Sequence, residues 1–348
     1  MTSDPTTQNS KPKTQNLSNW GVVGHEWAIA HLEKSLAHGR IRHAYLFTGP
    51  AGVGKTTLAQ AFARRLNCLH EDDSVRPCGE CSACRRITSR NHPDVRIIEA
   101  EAVGGTLKIE QVREMMRALA LRPYEGRYRV SILRRFHEAR PQAADALLKT
   151  LEEPPPYVVL LLTAENVNLL PATILSRCQP VRLRPLPAAQ VERALIERWG
   201  ADPEQAALLA QLSGGRLGWA VNALAGDGEL TFRDLALDDL ERVLTESRVG
   251  RFQRAETMAK RKDDLRETLI LWQAFWRDVV LIASESRVPP VNRDRRATLN
   301  RLAREIGLEE AQAALRATRA ALDDLGKNVN TRLSLEVMLL DYPGLKRQ

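Results

Sequence analysis

At 348 residues, with 43% hydrophobic and 27% charged side chains, the chain has an ordinary globular composition and room for two or three domains. That excludes a fibrous or low-complexity protein, and the longest apolar run, Tyr157 to Ala164, is too short for a bilayer-spanning helix. A formal net charge of +8 permits contact with nucleic acid without establishing it. The basic pairs Arg64–Arg65, Arg85–Arg86 and Arg134–Arg135, and the run Arg293 to Arg296, are scattered and read as solvated surface.

Residues 1–18 are polar and lack the apolar stretch of a secretory signal, so they read as the disordered tail of a cytoplasmic protein with no membrane partner. A helix is expected over Glu26 to Ala37, with Ile29, Leu32 and Leu36 on its apolar side and a stop at His38-Gly39-Arg40. Ala44 to Thr48 reads as a strand, and Leu58 to Leu66 has helical spacing. Between them, Gly49 to Thr57 fits G-x-x-x-x-G-K-[ST], the phosphate-binding loop. Gly49, Gly52 and Gly54 let the backbone turn its N–H groups onto a polyphosphate. Lys55 adds a point charge, and Thr56, followed by Thr57, offers a hydroxyl to Mg²⁺. ATP or ADP is the expected ligand; the plainer alternative is a glycine-rich turn without one.

Five cysteines in an intracellular chain point to metal or free thiols rather than disulfides. Cys68, Cys78, Cys81 and Cys84 have C-x9-C-x2-C-x2-C spacing, which can surround one Zn²⁺ tetrahedrally. Four protein ligands make such a site closed and structural. Further strands are expected at Asp94 to Ile98, Arg129 to Leu133 and Tyr157 to Thr163. Helices are expected at Ile109 to Leu121 and Ala143 to Glu153, the second stopped by Pro154-Pro155-Pro156. Strands alternating with helices after a phosphate loop imply an α/β domain with a parallel, doubly wound sheet, closing near Val181 to Leu183. Ala188 to Ala225 reads as helical, interrupted at Ser213-Gly214-Gly215, and from Glu229 onward no strand is expected. Leu265, Leu269, Trp272, Trp276 and Val279 form a helix-packing stripe, and Arg332 to Leu340 the last helix.

These landmarks resemble the bacterial DNA polymerase III clamp loader, whose subunits are AAA+ ATPases. The resemblance rests on Gly24-His25, His43 to Ala59 (HAYLFTGPAGVGKTTLA), the four cysteines, Ala146 to Pro155 (ALLKTLEEPP) and Leu170 to Gln179 (LPATILSRCQ). It implies a RecA-like parallel sheet domain over 19–184 with a zinc module at 68–84, a small helical lid domain over 185–228, and an all-α collar domain over 229–348. It also implies a hetero-pentamer with gamma/tau and delta subunits, acting on a sliding clamp and on primed DNA held through its phosphate backbone.

Two departures matter. Motor subunits of the family carry an Asp-Glu pair after the strand preceding the ALLKTLEEPP helix, for Mg²⁺ and for the attacking water; Arg134 and Arg135 stand there instead. A guanidinium repels Mg²⁺ and is no base, and Glu138 is poorly placed to substitute. The lid arginine of motor subunits is replaced by Gly218, with Arg216 two residues away. Together the departures resemble the family's delta-prime type, with its own ATPase absent or weak and no polymerase site. In that type the arginine of Ser176-Arg177-Cys178 reaches in trans to a neighbour's nucleotide, while Cys178 is a small buried residue.

Overall fold

The computed structural model describes residues 19–100, 106–165, 167–226, 228–325 and 329–345. The expected tail 1–18 lies outside them. The chain divides into two units, one ending at Arg184 and one beginning at Pro185.

The first unit is built on five parallel strands: β1 (Ala44–Thr48), β2 (Val95–Ile98), β3 (Arg129–Leu133), β4 (Val158–Ala164) and β5 (Gln179–Arg182), in the order β2-β3-β4-β1-β5. β1 and β4 are apolar throughout because they are buried at every position, with Ala44 opposite Leu160 and Thr48 opposite Ala164. Alternate side chains serve different cores. Tyr45, Phe47, Ile132 and Leu161 face α1 (Glu26–Ala37) and α2 (Lys55–Asn67), whereas Leu46, Leu133, Leu160 and Leu162 face the opposite helical layer. A short helix, α3 (Ser82–Thr88), follows the cysteine loop. The opposite layer is α4 (Ile109–Leu119), α5 (Pro141–Glu152) and the single turn α6 (Ala172–Leu175). Each fully buried large apolar side chain contributes roughly 1.5–3 kcal/mol, so this two-faced sheet is the main source of the unit's rigidity.

Asp94 fixes the approach to β3. Its buried carboxylate accepts the N–H groups of Tyr124, Glu125 and Gly126 at 2.7, 2.9 and 2.8 Å. Burial opposes the charge, but these donors win and hold its pKa below the usual carboxylate range.

The second unit is helical. α7 (Ala188–Trp199), α8 (Pro203–Leu212) and α9 (Leu217–Ala225) enclose a core of Val191, Leu195, Leu209 and Trp219. The break between α7 and α8 was not expected. Gly200 takes a left-handed φ of 65°, and Asp202 caps α8 through the N–H groups of Glu204 and Gln205, with Pro203 at its first position. Gly215 has no room for a side chain, since a Cβ would lie 2.3 Å from the Leu186 carbonyl oxygen. α10 (Glu229–Thr245), α11 (Arg248–Lys260), α12 (Lys262–Ala283), α13 (Arg296–Asp324, bent at Gly307) and α14 (Thr331–Leu340) share a second core. The stripe Leu265, Leu269, Trp272, Trp276 and Val279 is buried within it.

One expectation of solvated charge fails. Arg65 is buried because Glu33 and Asp73 both bind its guanidinium, at 2.9 and 2.7 Å. Among the described residues no helix is long and apolar enough to cross a membrane.

Candidate nucleotide, metal and arginine sites

The glycine-rich loop leaves the C-terminal end of β1 and ends where α2 begins at Lys55. Gly49 has φ 145°, and a Cβ there would meet the Leu183 carbonyl oxygen at 2.4 Å, so only glycine lets the loop pass β5's exit. Gly52 and Gly54 have φ 74° and 102°, and Gly54 caps α2. His25, itself at φ 60°, binds the Val53 carbonyl oxygen through Nε2 at 2.9 Å and braces the loop from behind. The Lys55 ammonium donates to the carbonyl oxygens of Gly49 and Pro50, both at 2.7 Å. Burial lowers its pKa to about 8, with Glu165 partly offsetting the shift. The loop thus offers a helix N-terminus, a turned glycine backbone and a cation whose charge is under-compensated. Thr56 and Thr57 follow in the first turn of α2.

The strand after which the resemblance implies acidic groups in motor subunits is β3. It ends at Leu133, and the Arg134 N–H continues the ladder to the Ile98 carbonyl oxygen at 2.8 Å. Arg134 and Arg135 therefore stand at the strand's exit, as the sequence placed them. Arg134 pairs with Glu99, which follows β2. Arg135 takes φ 48°, donates its N–H to Thr163 Oγ1 at 3.0 Å and pairs with Glu138 at 3.1 Å. Glu138 lies in the single 3-10 turn Phe136–Glu138 and is engaged by this arginine.

The four cysteines converge. All four sulfurs lie within 4.8 Å of one another, with Cys68 Sγ 3.6 Å from Cys78 Sγ and 4.0 Å from Cys81 Sγ. A tetrahedron with Zn–S bonds of about 2.3 Å has edges of about 3.8 Å, so the set suits zinc with at most a small inward shift of the sulfurs. Main-chain N–H groups of Cys78, Cys81 and Cys84 point at the sulfurs of Cys68, Cys78 and Cys81 at 3.4, 3.3 and 3.4 Å. Burial raises the Cys84 and Cys68 thiols. At Cys81 burial is overcome by N–H donors from Cys84 and Leu69, which bring it to about 7. The donors thus favour a thiolate at Cys81.

Arg177 follows α6. Its guanidinium donates to Glu152 Oε1 at 2.8 Å, to the Thr173 carbonyl oxygen at 3.0 Å and to Ser176 Oγ at 3.2 Å. Cys178 beside it is buried, which pushes its thiol up to about 12. In the helical unit, Arg216 pairs with Glu267 at 3.1 Å and lies over the Trp219 ring, while Gly218 sits in the first turn of α9.

Residues 24–187 match the family model described as DNA polymerase III, delta subunit. The chain is 42% identical over 174 residues to the tau/gamma subunit of Haemophilus influenzae DNA polymerase III, covering 50% of this chain and 25% of that one. It is 38% identical over 220 residues to the tau subunit of Escherichia coli, covering 60% and 34%. Over this segment the chain is similar to subunits of DNA polymerase III. The chain spans only about a quarter to a third of the length of these two relatives. A gamma-subunit-related protein from Thermotoga maritima aligns over 89% of this chain and 97% of its own, at 17% identity and a TM-score of 0.38, too loose a likeness to carry weight.

Within residues 24–187, the sequence alone does not single out Glu152, Glu99, Thr163 or Glu165. Glu152 was visible only as part of ALLKTLEEPP, whose end turns out to meet the Ser176-Arg177-Cys178 turn. The other three are partners of residues already chosen and carry no spacing signal of their own.

Two measurements test these sites. Purified full-length protein should contain about one zinc per chain, released by chelator with loss of the loop's fold; metal analysis finding none removes the assignment. Nucleotide affinity should be flat below pH 8, where Lys55 already carries its proton. At higher pH the free protein must take up a proton to bind, so affinity should fall toward about tenfold per pH unit. A titration series unchanged through about pH 9.5 would contradict the lowered Lys55 pKa.

Proposed function

We propose that the chain acts as a delta-prime-type subunit of a cytoplasmic DNA polymerase III clamp loader. In this reading its loop at Gly49 to Thr57 holds ATP or ADP as a fixed ligand and does not hydrolyse it. Arg177 is supplied to the nucleotide of an adjacent gamma/tau subunit. The helical unit joins a hetero-pentamer that includes delta, and the assembly loads a sliding clamp onto primed DNA gripped by its phosphates. Polymerisation belongs to other subunits.

The observation that carries the reading is the charge at the exit of β3. Two guanidiniums occupy the positions where the resemblance implies an acidic pair for motor subunits, and the carboxylates beside them, Glu99 and Glu138, are paired to those same guanidiniums. Phosphoryl transfer needs a held metal and an oriented water together. Cations at this point supply neither. Arg216, engaged by Glu267, further supports a loop that binds without turning over.

A second reading, a catalytically active gamma/tau-type ATPase, is favoured by the 42% identity to a tau/gamma subunit. The two readings separate cleanly in the purified chain. The delta-prime reading expects no steady-state ATP hydrolysis with or without primed DNA; DNA-stimulated turnover from the chain alone establishes the motor reading. In a reconstituted complex, Arg177→Ala should slow hydrolysis by about 10³-fold or more, with the complex still eluting intact by size exclusion. An unchanged rate would remove the role of Arg177 in trans.

A further inference from the structure

A cavity of about 530 Å³ lies in the sheet unit at the N-terminal ends of β1, β3 and β4. β1 spans about 17 Å at the rise of a strand, so this cavity is at the opposite end of the sheet from Gly49 and is separate from the glycine-rich loop.

Its charge is unbalanced. Arg42, Arg65, Arg127 and His43 line it against a single carboxylate, Asp73. That carboxylate is already taken by Arg65, at 2.9 and 2.7 Å, and by Arg76 at 3.2 Å. Arg65 is itself saturated by Glu33 and Asp73. Arg127 donates one hydrogen bond, from Nη2 to the Cys68 carbonyl oxygen at 2.9 Å. Neither Arg127 nor Arg42 has a carboxylate partner among the described residues. The His43 ring is held by a hydrogen bond to the main chain of Leu151, while its Nε2 is enclosed with no partner among the described residues. A buried polar atom without a partner costs stability unless a ligand or water completes it.

The shape restricts the ligand. Guanidinium forks match the oxygens of a phosphate or a carboxylate. Tyr128 and Pro154 to Pro156 add an apolar and aromatic wall beside the charged groups. The volume falls within the range of about 300–1,000 Å³ that holds small organic ligands, more than an inorganic ion requires. We propose that this cavity is a second anion site, which takes a phosphomonoester of nucleotide size with Arg42 and Arg127 on the phosphate and the Tyr128 side against the organic body. The assignment stands independently of what the glycine-rich loop does.

The test is calorimetry on the full chain carrying Lys55→Ala, which disables the other phosphate site, with AMP and inorganic phosphate as separate probes. Saturable binding of both is expected, AMP the tighter. Arg127→Gln and Arg42→Gln should each weaken binding by about tenfold or more, the loss of a charge-assisted contact. Arg42 is exposed and supports nothing else, so its variant reports on binding even if Arg127→Gln disturbs the neighbouring cysteine loop. The proposal is overturned if neither probe saturates by about 10 mM, or if Arg42→Gln leaves the isotherms unchanged. It is also overturned if Lys55→Ala alone abolishes binding.

Discussion

Strand β1 is paired on both edges, with β4 and β5, and covered on both faces. A strand so enclosed can be left only through a turn that finds space between its neighbours. Gly49 makes that turn, with the Leu183 carbonyl so close that any side chain would collide with it. The rest of the sheet unit follows from this constraint. The loop is forced outward at the one place where a helix N-terminus can be presented to it, and Lys55 is drawn back under it onto two carbonyl oxygens. An ammonium satisfied by neutral carbonyls and depressed by burial is poised to exchange them for phosphate oxygens. The loop's rigidity and its appetite for an anion share one cause.

In the proposed reading, what happens to a bound phosphate depends on charge two strands further along. β4 lies between β1 and β3, and the exit of β3 carries Arg134 and Arg135. Each is fixed locally, by Glu99 on one side and by Thr163 and Glu138 on the other. They are parts of the sheet's end, with defined partners, rather than solvated charges free to swing away from a metal. The proposal of a holding loop without turnover rests on that fixation as much as on the residue types.

Much of this was legible in the sequence, and the reasons differ by element. The apolar runs at 44–48 and 157–163 pointed to two central strands, the second found one residue later at Val158–Ala164, because burial on both faces favours such runs. The cysteine spacing foretold a converged cluster, since two C-x2-C turns leave the sulfurs few alternatives. The break at Gly200 to Pro203 went unnoticed despite a left-handed glycine, a capping Asp and a Pro in series. The burial of Arg65 could not be read from the sequence at all, because its partners Glu33 and Asp73 come from separate segments that only the fold brings together. The cavity beneath the strands was hidden for the same reason. Arg42 and Arg127 precede different strands, Arg65 lies in α2, and the three share no motif.

The two proposed phosphate-directed cations, Lys55 and Arg177, are held in opposite ways, and the difference bears on what each can do. Lys55 sits in a half-buried pocket with no carboxylate bonded to it among the described residues and only Glu165 acting on it from nearby, so a phosphate adds counter-charge where little is present. Arg177 already has a carboxylate, but its pair with Glu152 is open to solvent, with side-chain exposures of 34% and 51%. Exposed pairs of this kind contribute only about 0–1 kcal/mol. A phosphate carrying more charge, presented in a site that excludes water, outweighs such a bond easily. Glu152, the Thr173 carbonyl oxygen and Ser176 Oγ together orient the guanidinium, and the proposed role in trans requires these solvent-facing bonds to be exchanged for phosphate oxygens. A buried ion pair in the same place would cost several kcal/mol to break and would leave Arg177 a structural residue.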